Sequence, residues 1–555
     1  MKGFSPKDLV GIVLQPIEKI ADTLERKLGL FSVVIISLSA MLGSGLFVLP
    51  ALAMLELGGG TNPVGGIWLA YLFAALIVLP GALSKGELAT AMPSSGGSYV
   101  YVERTFGPLI GTISGLGLWA NFMLKSAFAL IGFKAYLWVL EGVLNIEIDE
   151  HLDRIAIVLL VLIVIINILG LKKIKKVQIP IVVTSVGFLF IICIWAVFTM
   201  DFNWNNVFSK SAFGSGPEAI AGTAAFVFVA YAGVTKIAAV GGEIKDPNKN
   251  MPYGILISLL ISCLLYVIIS IIMIAAIDPI DFMKDGKPRE DPIYIFANAV
   301  GGDVIGIFAS FLAVITMTSM ALAGIMASSR FPFAMARDNL LPEAIENVHP
   351  KYDTPHLSIV LTGLAMGLAI TFLDVKDVAK LASGFKIMIF IVINCCVIVL
   401  RTASKSHSWY NPKWKSPMFP YIQIFGIIVS TWMLILMGEK ALIGGLVAII
   451  AGVIIYKSYG EKHFKPEITP WETFKLMLRN PDEAEQRRFY AAFHAADTQR
   501  NNHLNLHEFV AALKALELGE ENNDALREYF HAADENNDGV IDIDEFLSYI
   551  EKSSD

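Results

Sequence analysis

The chain has 555 residues, of which 55% are hydrophobic and only 17% charged, and its formal net charge is −7; mean hydropathy is +0.61. Soluble domains carry about 25% charged residues, so a string of soluble domains is excluded. A disordered or collagen-like chain and a disulfide scaffold are excluded too, the last because there are only four cysteines. Lipid must solvate most of the chain. Cys193, Cys263, Cys395 and Cys396 all lie inside apolar runs, as small core residues do, rather than as bridges or metal ligands. Charge then divides the chain. Residues 481–555 hold 18 Asp/Glu against 6 Lys/Arg, a net of −12 that leaves +5 for the rest. A mildly basic membrane body precedes a separate acidic domain.

Residues 1–30 mix Lys7, Asp8, Glu18 and Lys19 with Val13, Ile17, Ile20 and Leu24 at helical spacing. They are predicted to form a cytosolic amphipathic segment on the membrane surface or on the protein's own inner face. No continuous apolar run follows the first charges, so a secretory signal is not expected. The body, 31–458, contains about twelve stretches near the roughly 20 apolar residues that a crossing helix needs. They fall at 31–54, 66–88, 108–140, 155–170, 177–200, 218–241, 252–277, 303–329, 357–373, 380–400, 418–437 and 441–457, called segments 1 to 12 below. Lys and Arg crowd the loops on one side, as at Lys172, Lys173, Lys175, Lys176, Arg330, Arg337, Lys413 and Lys415. That side is predicted to be cytosolic, with both termini on it.

Segment 1 is interrupted by Gly43-Ser44-Gly45, with Pro50 beyond. Segment 6 is interrupted by Ala232-Gly233 within Phe228–Val234. One such pair would ordinarily signify close helix packing. Two breaks at matching positions of a five-plus-five repeat point instead to an inverted-repeat transporter with a midplane site. Unwinding a helix in the bilayer frees N–H groups on one side and C=O groups on the other. A zwitterion could satisfy both, its carboxylate on the amides of Gly43, Ser44 and Gly45 and its ammonium on carbonyls around Ala230, Tyr231, Ala232 and Gly233.

These residues resemble a known family. Gly43-Ser44-Gly45-Leu46-Phe47 is similar to the first-helix GxGxF signature of amino acid permeases in the amino acid–polyamine–organocation superfamily. Glu87–Val102 resembles that family's loop after segment 2, Glu243-Ile244-Lys245-Asp246-Pro247 its segment after span 6, and Ser328–Arg337 its end of span 8. The resemblance covers 31–458. It implies an all-α polytopic protein of about twelve helices in a five-plus-five inverted repeat, working by alternating access on an amino acid or related amine. It does not imply an enzyme, and no P-loop or nucleic-acid motif suggests ATP or nucleic acid as a partner.

Many members place a lysine in span 5 where sodium-coupled relatives hold Na⁺; registering this sequence on the family pattern puts Ser185 there. Either a sodium ion fills the place, with hydroxyls such as Thr316 and Ser319, or another cation does, leaving Na⁺ and H⁺ open as coupling ions. Lys125, deep in segment 3, is the candidate, because an intramembrane charge is costly and normally functional. Lys236 and Lys386 are weaker ones.

After a linker at 459–483, residues 484–555 read as an EF-hand pair. Asp534–Glu545 fits the twelve-residue Ca²⁺ loop, with ligands at Asp534, Asn536, Asp538, Val540 (through its carbonyl), Asp542 and Glu545, and a turn glycine at Gly539. The earlier loop keeps Asp497, Gln499, Asn501, His503 (carbonyl), Asn505 and Glu508, but has Asn502 in place of the glycine. Leu504 and Ile541 are placed to bridge the two loops. On Ca²⁺ binding, Phe489, Phe493, Phe509, Phe530 and Phe546 could line an opened groove. The expected target of that groove is the protein's own inner face or the linker, where Trp471, Phe474, Leu476 and Met477 are spaced like a target helix. The expected function is secondary amino acid transport under calcium control. The alternative is a receptor that binds an amino acid without moving it.

Overall fold

The computed structural model describes residues 28–93, 97–144, 152–170, 174–214, 216–404, 406–407, 409–463, 469–497, 503–516, 518, 523–536 and 538–554. Nearly all of the expected amphipathic segment 1–30, and Gln499 and Asn501 of the first loop, lie outside the described residues.

All twelve apolar segments fall on helices. Among the described residues, eight helices are long and apolar enough to cross a membrane, and Leu30–Met41, His356–Phe372 and Tyr421–Leu436 are shorter apolar helices. The only paired strands described form a two-residue hairpin, Met283–Lys284 with Lys287–Pro288. Punctuation follows local chemistry. Pro292–Ser328 bends at Gly302, whose φ of +74 is open to glycine, so that segment 8 proper starts one residue later. Segment 8 packs on segment 3 (Pro108–Leu144), and segment 7 (Pro247–Ala276) on segment 2 (Ile67–Ala91). One apolar core runs through the body, while large apolar side chains such as Phe198, Ile191, Phe311, Ile428 and Leu446 are exposed around it. An apolar exterior of that extent is stable only against lipid.

Segment 1 is three pieces: Leu30–Met41, a single turn at Ser44–Phe47, and Leu49–Leu57 with Pro50 in its first turn. Segment 6 departs from expectation in where its winding changes. The α-helix Pro217–Val227 gives way at Phe228 to a 3₁₀ helix that continues to Glu243, so the change precedes Ala232-Gly233. The cause is a side chain from segment 10. The Ser383 hydroxyl accepts from the Val229 N–H at 2.9 Å and donates to the Phe226 carbonyl at 2.8 Å, taking groups that an α-helix would pair internally.

Beyond the membrane body, Pro470–Arg479 forms a short helix opened by a capping box between Thr469 and Glu472. Four helices follow: Pro481–Ala496, Leu506–Ala515, Asn523–Ala533 and Ile543–Ser554. They share an apolar core of their own.

Candidate functional site

The two breaks meet backbone to backbone. A Cβ on Gly45 would lie 3.0 Å from the Ala230 Cα, and one on Gly233 would lie 2.5 Å from the Ala40 carbonyl carbon. Glycine is required here by close approach. A Cβ on Gly43 would meet the Met320 Sδ at 2.3 Å.

Several of the freed carbonyls are already capped. Tyr266 donates to the Met41 carbonyl at 2.7 Å and lies 3.3 Å from the Ala230 carbonyl. Tyr71 donates to the Gly45 carbonyl at 3.0 Å, and Tyr136 to that of Phe47. The Lys125 ammonium reaches the Ala230 carbonyl at 3.3 Å, and the Lys386 ammonium that of Ala232 at 3.1 Å. The amides of Gly43, Ser44 and Gly45, in contrast, find no acceptor among the described residues. Three consecutive amides of the unwound stretch are thus free for an acceptor. Beside it lies a narrow cavity lined by Ala40, Phe122, Lys125, Gly233, Lys236 and Met320, among others.

The sequence singled out the glycines and Lys125, and the structure brings them together. It missed most of the residues that cap the carbonyls, namely Tyr71, Tyr136, Tyr266 and Ser383, and placed Lys386 only among the weaker candidates. Their signal was polar atoms inside apolar segments, where each must find a partner. Ser185 and Thr316 also meet, their hydroxyl oxygens 2.8 Å apart. Ser319 joins the same helices through its carbonyl, 3.5 Å from the Gln178 amide. Lys125 is at the break in segment 6 and outside this hydroxyl pair.

A second buried cluster ties segment 2 to segment 10 and the loop after it. The fully buried Glu87 carboxylate accepts two bonds from Arg401 at 2.7 and 2.6 Å, one from Tyr410 at 2.7 Å, and bonds from the Ser416 amide and hydroxyl at 2.8 and 2.9 Å. Close by, the linker helix Pro470–Arg479 docks on the body. Trp471 packs edge-on against Phe106 with centroids 5.4 Å apart, and the buried His407 ring bonds the Thr473 hydroxyl at 3.0 Å. Burial pushes the His407 imidazole down to about 4.

In the tail, Leu504 and Ile541 exchange two backbone hydrogen bonds, of 2.8 and 2.9 Å, and join the two loops as expected. Gly539 adopts φ +84. In the second loop, buried Asp534 accepts from the amides of Asp538 and Gly539, and Glu545 from those of Asn536 and Asp542. All of these bonds come from backbone amides of the loop. The acidic side chains do not converge on one point among the described residues; they are turned onto the loop's own N–H groups. Buried carboxylates held only by amides, in an all-oxygen donor set, fit a hard cation such as Ca²⁺. In the first loop, Asp497 and Glu508 are buried, His503 is exposed, and Asn505 and Glu508 cap one another. The five phenylalanines form the closed interior of the lobe, with Phe493, Phe509, Phe530 and Phe546 in mutual edge contact.

The family model described as amino acid permease matches residues 28–456, and that of an EF-hand domain pair matches 486–551. A branched-chain amino acid permease of Bacillus subtilis is 28% identical over 80% of this chain and 95% of its own length. A methylthioribose transporter of the same organism is 26% identical with the same coverage. A chloroplastic cationic amino acid transporter of Arabidopsis thaliana is 25% identical over 73% of this chain and 70% of its own.

Proposed function

From the premise that this chain belongs to the amino acid permease family, we propose that it is a secondary active amino acid transporter whose body crosses the membrane twelve times. Segments 1–5 and 6–10 form an inverted repeat, and both termini are cytosolic. The substrate carboxylate is taken by the amides of Gly43, Ser44 and Gly45, and the amine is turned toward Ala230–Gly233. The observation that carries this is the run of three free amides at Gly43–Gly45, beside carbonyls that Tyr71, Tyr136, Tyr266, Lys125 and Lys386 already cap. Coupling runs through Na⁺ at the Ser185–Thr316 pair with Ser319, or through Lys125, whose ammonium can exchange H⁺. Ca²⁺ acts from the tail through the docked helix Pro470–Arg479, which lies between the EF-hand lobe in sequence and Phe106 and His407 in space.

Uptake of labelled amino acids into proteoliposomes, with Na⁺ and pH gradients imposed separately, tests the reading. Accumulation should depend on one gradient, and Lys125→Met should reduce driven uptake while binding in detergent persists. Saturable binding without accumulation would make the protein a receptor. Equal loss of expression and binding in Lys125→Met would make that lysine structural.

A further inference from the structure

The site holds more buried lysines than the single carboxylate of a zwitterion can pair. Lys125 and Lys236 line the cavity. Lys386 sits over the ring of Phe122, which also lines it, and over Phe390 at 4.8 Å, a ring that Lys85 shares from 5.2 Å. All four lysines are buried. No acidic side chain lines the cavity among the described residues, and the Glu87 carboxylate is bound to Arg401.

Two of these cations occupy the very carbonyls on which a substrate ammonium would dock. Lys125 holds the Ala230 oxygen and Lys386 that of Ala232. An incoming α-ammonium must therefore displace one of them, and the displaced lysine is left in a low-dielectric site without a counter-charge, where it either sheds its proton or bears a penalty of several kcal/mol until an anion pairs with it. Lys236 is in that position already. It is 7% exposed, faces the cavity, and among the described residues has no hydrogen-bond or ion-pair partner. A zwitterion brings no net charge and leaves this imbalance as it was. A second carboxylate on the substrate corrects it.

We propose that the transported substrate is a dicarboxylic amino acid. Its α-carboxylate is held by the amides of Gly43–Gly45, and its side-chain carboxylate is paired with Lys236 and with whichever of Lys125 and Lys386 its ammonium releases. This rests on the transporter reading above and adds the substrate's charge to it. Cationic amino acids are excluded by the same lysines.

The test uses the full chain, with binding measured by thermal shift in detergent and counterflow measured in proteoliposomes. Glutamate and aspartate are compared with glutamine, which keeps the shape of glutamate without its charge, and with leucine. Glutamate should bind at least about tenfold more tightly than glutamine, the difference one charge-assisted bond supplies. Lys236→Met should remove that preference, lowering glutamate affinity about tenfold while glutamine changes less than about twofold, and Lys236→Arg should keep it. Lys236 caps no carbonyl, so these variants leave the breaks intact. A preference for glutamine or leucine over glutamate, or equal losses for both in Lys236→Met, would overturn the proposal. The two readings fail separately. Glutamate binding without counterflow would sink transport and keep the anionic site, whereas leucine uptake with no response to glutamate would keep transport and sink the anionic site.

Discussion

Protonating His407 should release the linker helix from the membrane body. The ring is 7% exposed, bonded to Thr473, and lowered by burial to about 4, whereas a free histidine titrates near 6.5. The released state therefore binds more protons than the docked state between those values. Docking is at full strength above about pH 6.5 and is lost progressively as pH falls toward 4. At pH 5 the linkage costs the docked state about 2 kcal/mol relative to neutral pH, taking about 1.4 kcal/mol for each pH unit below the free value. What opposes release is modest. The Trp471–Phe106 pair contributes about 0.5–1.5 kcal/mol beyond its buried area, and the His407–Thr473 bond about as much. A 2 kcal/mol loss shifts the equilibrium about thirtyfold. The assay is ¹⁹F NMR of protein labelled with 5-fluorotryptophan, with the relevant resonance assigned through Trp471→Phe. That resonance should move to a solvent-exposed position between pH 6.5 and 5. His407→Gln, which can still bond Thr473 but cannot titrate here, should hold it in place. A resonance indifferent to pH down to 5, or one that moves equally in His407→Gln, would refute the reasoning.

Three further outcomes follow from the same geometry. Arg401→Met strands the buried Glu87 carboxylate and should destabilise the body by about 3–5 kcal/mol; thermal unfolding in detergent should show most of this restored when Glu87→Gln is added. Gly45→Val drives side-chain atoms into the Ala230 backbone, 3.0 Å from its Cβ position, and should abolish substrate binding at an overpacking cost of about 1–3 kcal/mol. Gly43→Val collides only with the end of Met320, so it should fold better than Gly45→Val yet still fail to bind; normal uptake by either variant would remove the anion site from the breaks. In the tail, calorimetry should find a tighter site in the second loop, at about 10⁻⁷–10⁻⁵ M. It should be lost in Asp534→Ala with Glu545→Gln, and that variant should also lose any calcium dependence of transport.

The sequence by itself determined the solvent, the elements and the identity of the parts. Runs of some twenty apolar residues can satisfy their backbone in lipid only as helices, so segments 2, 3, 5, 7 and 10 were legible from composition. Gly43-Ser44-Gly45 was legible because glycine marks close backbone approach, and the second Ca²⁺ loop because six ligand positions and a turn glycine are set within twelve consecutive residues. What only the tertiary structure decided are relations between residues far apart in the chain. Ser383 moves the change of winding in segment 6 to Phe228. Lys386 and Lys125 reach the carbonyls of Ala232 and Ala230, 154 and 105 residues distant. Trp471 lies on Phe106, and the lobe's phenylalanines are closed on one another. Periodicity reports which face of a helix is buried, but not what that face is buried against. At a broken helix the chemistry belongs to whichever distant side chain reaches the freed carbonyl first, and that is settled by packing.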